Sequence, residues 1–112
     1  MSDQGDRPTL EIHRIESPPS LRLVGEVDLS NAATLEQAVL AELDVGRELT
    51  LDLADCTYIG SEGIGILLLA WHQLRDGGRL VLRSPTGVVR RVLELAGLDR
   101  FPGVEIVDGG DD

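Results

Sequence analysis

A chain of 112 residues with 42% apolar content is long enough to bury about two thirds of its surface as one domain. Twenty acids against ten basic residues, every one of them arginine, leave a formal charge of -10, so nucleic acid and anionic membranes are poor partners and a basic protein surface is a better one. One cysteine excludes an internal disulfide, and the longest apolar run, Ile66-Leu67-Leu68-Leu69-Ala70-Trp71, is far below the roughly twenty residues of a membrane span.

Residues 1–8 read as a flexible lead without the basic start and apolar run of a signal peptide, which points to the cytoplasm. The domain is expected over 9–107, with 108–112 as a flexible acidic tail. Leu10-Glu11-Ile12-His13-Arg14-Ile15 has partial strand alternation, and Pro18-Pro19 forces a turn into a second strand at Leu21–Gly25. These two strands form an antiparallel hairpin. Asp28-Leu29-Ser30-Asn31 offers capping groups before a first helix over about 32–43, and Gly46 closes that connection.

Leu49-Thr50-Leu51-Asp52-Leu53 reads as a strand with its apolar side chains at odd positions. A second helix starts at Ser61 or just after it. Ile64, Leu67, Leu68, Trp71, Leu74 and Arg75 share its core face, which leaves Ile66 and Leu69 on or beside the opposite one, and Gly77-Gly78 stop the helix. Leu80-Val81-Leu82 is a strand buried on both faces. Ser84-Pro85 combines an N-cap with proline at the first helical position. Val88, Val89, Val92, Leu93 and Ala96 then give a third apolar stripe, closed by Gly97, before a last strand at Val104–Val107. The order β-β-α-β-α-β-α-β predicts an α/β fold: a single mixed, mostly parallel sheet, joined by right-handed crossovers, with helices packed mainly on one face.

Catalytic and metal chemistry is thinly represented. His13 and His72 lack neighbours at metal-ligand spacing, and one cysteine removes the usual zinc patterns. Cys56 has no evident base partner and reads as a small buried residue, though the end of the central strand, with Asp52 and Asp55, is where open α/β sheets bind ligands. Glycines at 60, 63 and 65 do not make the dinucleotide fingerprint, the ATPase loop needs an absent lysine, and the esterase elbow needs glycine where Ile59 stands. No enzyme, metal or cofactor is expected.

The concentrated polar chemistry is Tyr58-Ile59-Gly60-Ser61-Glu62-Gly63-Ile64-Gly65, which puts a hydroxyl at a helix start among glycines. Ser61 reads either as a helix cap alone or as a cap that also docks a partner or accepts a phosphoryl group, which would add about two negative charges. Glu62 already places a carboxylate beside it. Ile66 and Leu69 either meet neighbouring helices or, if exposed, form the apolar centre of an interface.

Gly25-Glu26-Val27-Asp28, Leu51-Asp52-Leu53, Tyr58-Ile59, Ser61, Gly63, Gly65, Gly77-Gly78 and Leu93-Glu94-Leu95-Ala96-Gly97-Leu98, in this order and spacing, resemble a STAS domain of the bacterial anti-sigma factor antagonist type over about residues 10–107. The resemblance implies a non-enzymatic adaptor. Unphosphorylated, it sequesters an anti-sigma factor, often a serine kinase, and so releases a sigma factor. Phosphorylation at Ser61 reverses this, and a serine phosphatase restores it. The expected partner surface takes Glu26, Asp28 and Ser30 from one segment, whose acids read equally as caps for the positive end of the first helix, and Gly60, Ser61, Glu62 and Gly63 from the other, with Ile66 and Leu69 beside them. Gly60 stands where the family commonly has Asp, and Glu62 where a second Ser or Thr is common. Those departures favour an alternative: an unphosphorylated STAS scaffold, such as a regulatory subunit of a lipid-transport ATPase or a signalling assembly. Homodimerisation stays open.

Overall fold

The computed structural model describes residues 9–16, 19–43, 47–74 and 77–108. The expectations for the lead (1–8), Pro18, Gly46, Arg75 and residues 109–112 lie outside the described residues. Five strands, β1 (Leu10–Glu16), β2 (Pro19–Val27), β3 (Glu48–Ile59), β4 (Arg79–Arg83) and β5 (Val104–Val107), form one sheet in chain order. β1 and β2 pair antiparallel, and every later pairing is parallel. Helices α1 (Ala32–Leu43), α2 (Ser61–Leu74) and α3 (Gly87–Leu95) make the crossovers, and a short 3-10 helix, Leu98–Arg100, leads into β5. The expected order and mixed, mostly parallel sheet are both present, with the helices packed on one face.

Register explains the single core. Leu21, Leu51, Leu82 and Ile106 stand in one row across four strands. Because strand side chains alternate, the row facing the helices is leucine-rich and the next row is polar. Leu21, Leu23, Leu49, Leu51, Leu53, Leu80 and Leu82 are all buried, and they join Leu35 and Val39 of α1, Leu67 of α2, and Val89 and Leu93 of α3 in one cluster. On the opposite face Arg22 pairs with Asp55, and Arg79 bridges Glu48 and Glu105 across three strands. Arg14 of β1 points toward the helices instead, where its Nε donates to the nearly buried Glu42 of α1 at 2.5 Å.

Three local readings are corrected. β3 does not stop at Leu53 but runs to Ile59, because irregularities in its pairing with β2 reset the alternation near Ala54–Asp55 and again before Tyr58. Ser84 is not the cap of α3. Its φ is +60°, its N–H donates to Val107 O at 2.7 Å, and the capping position falls at Thr86. The core face of α2 is rotated by about one residue. Gly63, Ile66, Leu67, Ala70 and Leu74 are buried, whereas Leu68, placed in the core by its spacing, is 37% exposed. Gly77, at φ +101°, and Gly97, at φ +77°, adopt the left-handed geometry expected of helix terminators. Trp71 Nε1 donates to Pro102 O at 2.6 Å while its ring meets Phe101 edge-on, fastening α2 to the chain entering β5. Among the described residues no helix is long and apolar enough to cross a membrane.

Candidate functional site

The turn from β3 into α2 is built on two contacts, the second of which needs glycine. Gly60 is buried, and its N–H donates to Val27 O at 2.9 Å. Its own carbonyl accepts the first helical bond, from Ile64 N at 3.1 Å, so Gly60 rather than Ser61 holds the capping position. Gly63 packs so tightly that a Cβ there would stand 2.5 Å from Ile59 Cγ1 and 2.9 Å from Val27 Cγ1. These contacts fix the rotation of α2, which points Ser61 outward.

Ser61 is therefore the first residue of the helix, exposed, with a hydroxyl that caps nothing. Among the described residues its Oγ makes no protein hydrogen bond, and the N–H groups of Ser61, Glu62 and Gly63 find no protein acceptor. Unsatisfied amides at the positive end of a helix favour an anion held beside them. This arrangement suits a phosphoryl group on Ser61 better than a cap would, because nothing has to be displaced. Glu62 reaches back over Gly60: its Oε1 lies 2.8 Å from where a Cβ on residue 60 would stand, with the Tyr58 ring 3.4 Å from the same point. Carboxylate and ring thus fill the space that a larger residue 60 would occupy.

The neighbouring loop is held by side chains. Asp28 Oδ1 accepts from Ser30 N at 3.0 Å and from Ser30 Oγ at 2.6 Å. Asn31 Oδ1 accepts from Asp28 N at 3.0 Å, while Asn31 Nδ2 donates to Thr9 Oγ1 and to Glu26 O. The Asn31 carbonyl accepts the first bond of α1, from Leu35 N. Between these polar residues Leu29 is turned out, 77% exposed.

The structure brings Ser61, Gly60, Glu62 and Gly63 together with the segment Glu26–Ser30 at one rim of the sheet, through the Gly60–Val27 bond and the packing of Gly63 on Val27. Not all of the expected residues face outward. Gly60, Gly63 and Ile66 are buried, so Ile66 is not an exposed apolar centre, and Leu69 is only partly accessible. Ser30 is committed to Asp28. The exposed apolar side chains here are Leu29, Tyr58 (45% exposed) and Leu68, none of which the sequence reading assigned to the surface. For Leu29 a signal existed: Asp28-Leu29-Ser30 suits an Asx turn, and such turns run over the surface. For Leu68 there was none, because α2 is apolar nearly all round.

Groups that might have carried other chemistry are engaged structurally. Cys56 is buried, its thiol donates to Tyr58 O, and burial pushes its pKa up, away from the reactive thiolate. Asp52 accepts from Ala54 N, and Asp55 pairs with Arg22. Among the described residues no cluster of three or more His, Cys, Asp or Glu could hold a metal ion.

Comparison with known proteins places this arrangement. A family profile described as "Mlab, STAS domain" matches residues 11–108. BtrV of Bordetella bronchiseptica, provisionally named an anti-sigma factor antagonist, is 42% identical over 83 residues, covering 71% of this chain and 72% of its own. The anti-sigma-F factor antagonist RsfB of Mycobacterium tuberculosis is 32% identical over 81 residues, covering 71% of this chain and 66% of its own. The crystal structure of an anti-sigma factor antagonist from Mycobacterium paratuberculosis superposes with a TM-score of 0.72 at 28% identity, over 87% of this chain and 84% of that one.

Proposed function

The chain belongs to the STAS domain family, and we propose that within it the protein is an anti-sigma factor antagonist switched at Ser61. Unphosphorylated, it holds an anti-sigma factor against the rim of Glu26, Asp28, Ser61 and Glu62, and so frees a sigma factor. A serine kinase, often the anti-sigma factor itself, phosphorylates Ser61 and ends the interaction, and a serine phosphatase restores it. The role needs no catalysis by this chain and fits a cytoplasmic protein.

One observation carries the reading: an exposed hydroxyl, with no hydrogen bond among the described residues, stands at the first position of α2 beside three amides that find no acceptor among them. A phosphoryl group there is accommodated by the fold, so its effect falls on whatever docks at close range. Incubation with the source bacterium's anti-sigma factor kinase and ATP is expected to add about 80 Da, the mass of one phosphoryl group, at Ser61. Ser61→Ala should keep the partner and Ser61→Asp should lose it in a pull-down with the purified anti-sigma factor.

The carboxylate of Glu62 over Gly60 supports a second reading, because it lowers the electrostatic contrast between the two states. In that reading the chain is an unphosphorylated scaffold, such as a subunit of a lipid-transport ATPase. No adduct at Ser61, together with transporter subunits in place of an anti-sigma factor in the pull-down, would decide for it.

A further inference from the structure

Helix α2 contains two interior glycines in opposite surroundings. Gly63 is required by packing. At Gly65 a Cβ would meet nothing within 4 Å. Glycine inside a helix is less stable than alanine, because it leaves more backbone freedom in the unfolded chain. Gly65 therefore weakens α2 and contributes no contact to the fold.

Its position suggests what it serves. Ser61, Gly65 and Leu68 recur at helical spacing along the exposed face of α2, so Gly65 is a notch between a hydroxyl and a leucine. Tyr58 and, on the adjoining loop, Leu29 stand at the same rim, and both are exposed. The basic residues are absent from the two segments that carry the notch. Neither Leu23–Gly46 nor Glu48–Leu74 contains a lysine or arginine, while Glu26, Asp28 and Glu62 lie within them. An apolar centre with an acidic rim fits a partner that presents an apolar segment surrounded by basic side chains.

We propose that Gly65 is the contact floor of the anti-sigma factor interface. The partner's apolar segment seats in the notch between Ser61 and Leu68, flanked by Leu29 and Tyr58, with its basic groups facing Glu26, Asp28 and Glu62. This rests on the function proposed above and adds how the switch works. A phosphoryl group on Ser61, held by the helix amides one turn before Gly65, stands at the edge of the notch and blocks the partner's approach by bulk, whatever attraction its charge has for the partner's basic groups.

Calorimetric titration of the source bacterium's purified serine-kinase anti-sigma factors into wild type, Gly65→Ala and Leu68→Ser tests this, with thermal unfolding measured on each variant. Gly65→Ala is expected to raise Tm by about 4 °C, from the better helix propensity of alanine, while weakening binding tenfold or more. Leu68→Ser should weaken binding comparably, and wild-type affinity should fall with added salt. If Gly65→Ala binds as wild type does, the notch is not the seat, although the proposed function stands. If wild type binds none of these anti-sigma factors, the proposed function falls and this inference falls with it.

Discussion

Ser61 and Ser84 carry the same signal in the sequence, a serine at the end of a strand and the start of an apolar helical stripe, yet the fold treats them oppositely. Ser61 enters its helix at once and stays bare. Ser84 is held outside α3 in a left-handed conformation, with its N–H bonded to β5, and the helix waits until Gly87. The cause lies in the strands before them. β3 outruns its pairing with β4, which ends at Asp52↔Arg83, because β2 continues beside it to Ile59. The Gly60–Val27 bond then turns the chain straight into α2. β4 has no such extension, and the last carbonyl of β5 captures the amide that would have begun α3. Capping residues announce that a chain leaves a strand, and the neighbouring strand decides where.

If tight packing of the turn keeps Ser61 outward, filling Gly63 should do the most damage. Gly63→Val forces branched methyls into Ile59 and Val27, and a loss of about 3 kcal/mol is expected from overpacking, measurable by urea unfolding. A variant as stable as wild type would mean that the turn is not built on this contact. A smaller effect of opposite sign is expected at the other serine. Left-handed geometry costs a non-glycine residue about 1–2 kcal/mol, and the added freedom of glycine in the unfolded chain offsets about 0.5–1 kcal/mol. Ser84→Gly should therefore gain about 0.5–1 kcal/mol, and a loss would place Ser84 in a helical cap after all.

Much of the fold was legible because leucine alternation is strong in β3 and β4, and because Gly77 and Gly97 end helices for a steric reason that needs no tertiary context. The site was legible in part. The run around Ser61 stood out as polar chemistry among glycines, but which way α2 faces did not. Ile64, Ile66, Leu67, Leu68 and Leu69 make that helix apolar on almost every side, so periodicity cannot choose between a core containing Leu68 and one containing Ile66. The choice is made by Gly63 meeting Ile59 and Val27, a contact between segments that no local pattern encodes. The exposed Tyr58 was obscured for a related reason: the irregular pairing of β3 with β2 resets the strand alternation just before it.

The smallest expected effect bears most directly on function. Were Ser61 a side-chain cap, Ser61→Ala would cost about 1 kcal/mol. With Gly60 in the capping position and the Ser61 oxygen without a partner among the described residues, the substitution should change stability by less than about 0.5 kcal/mol, as exposed positions do. Matched urea unfolding curves for the two proteins would leave the hydroxyl with no part in holding the fold together. A loss near 1 kcal/mol would instead put the oxygen on a helix amide in solution, and a phosphoryl group would then have to break a bond that the fold uses.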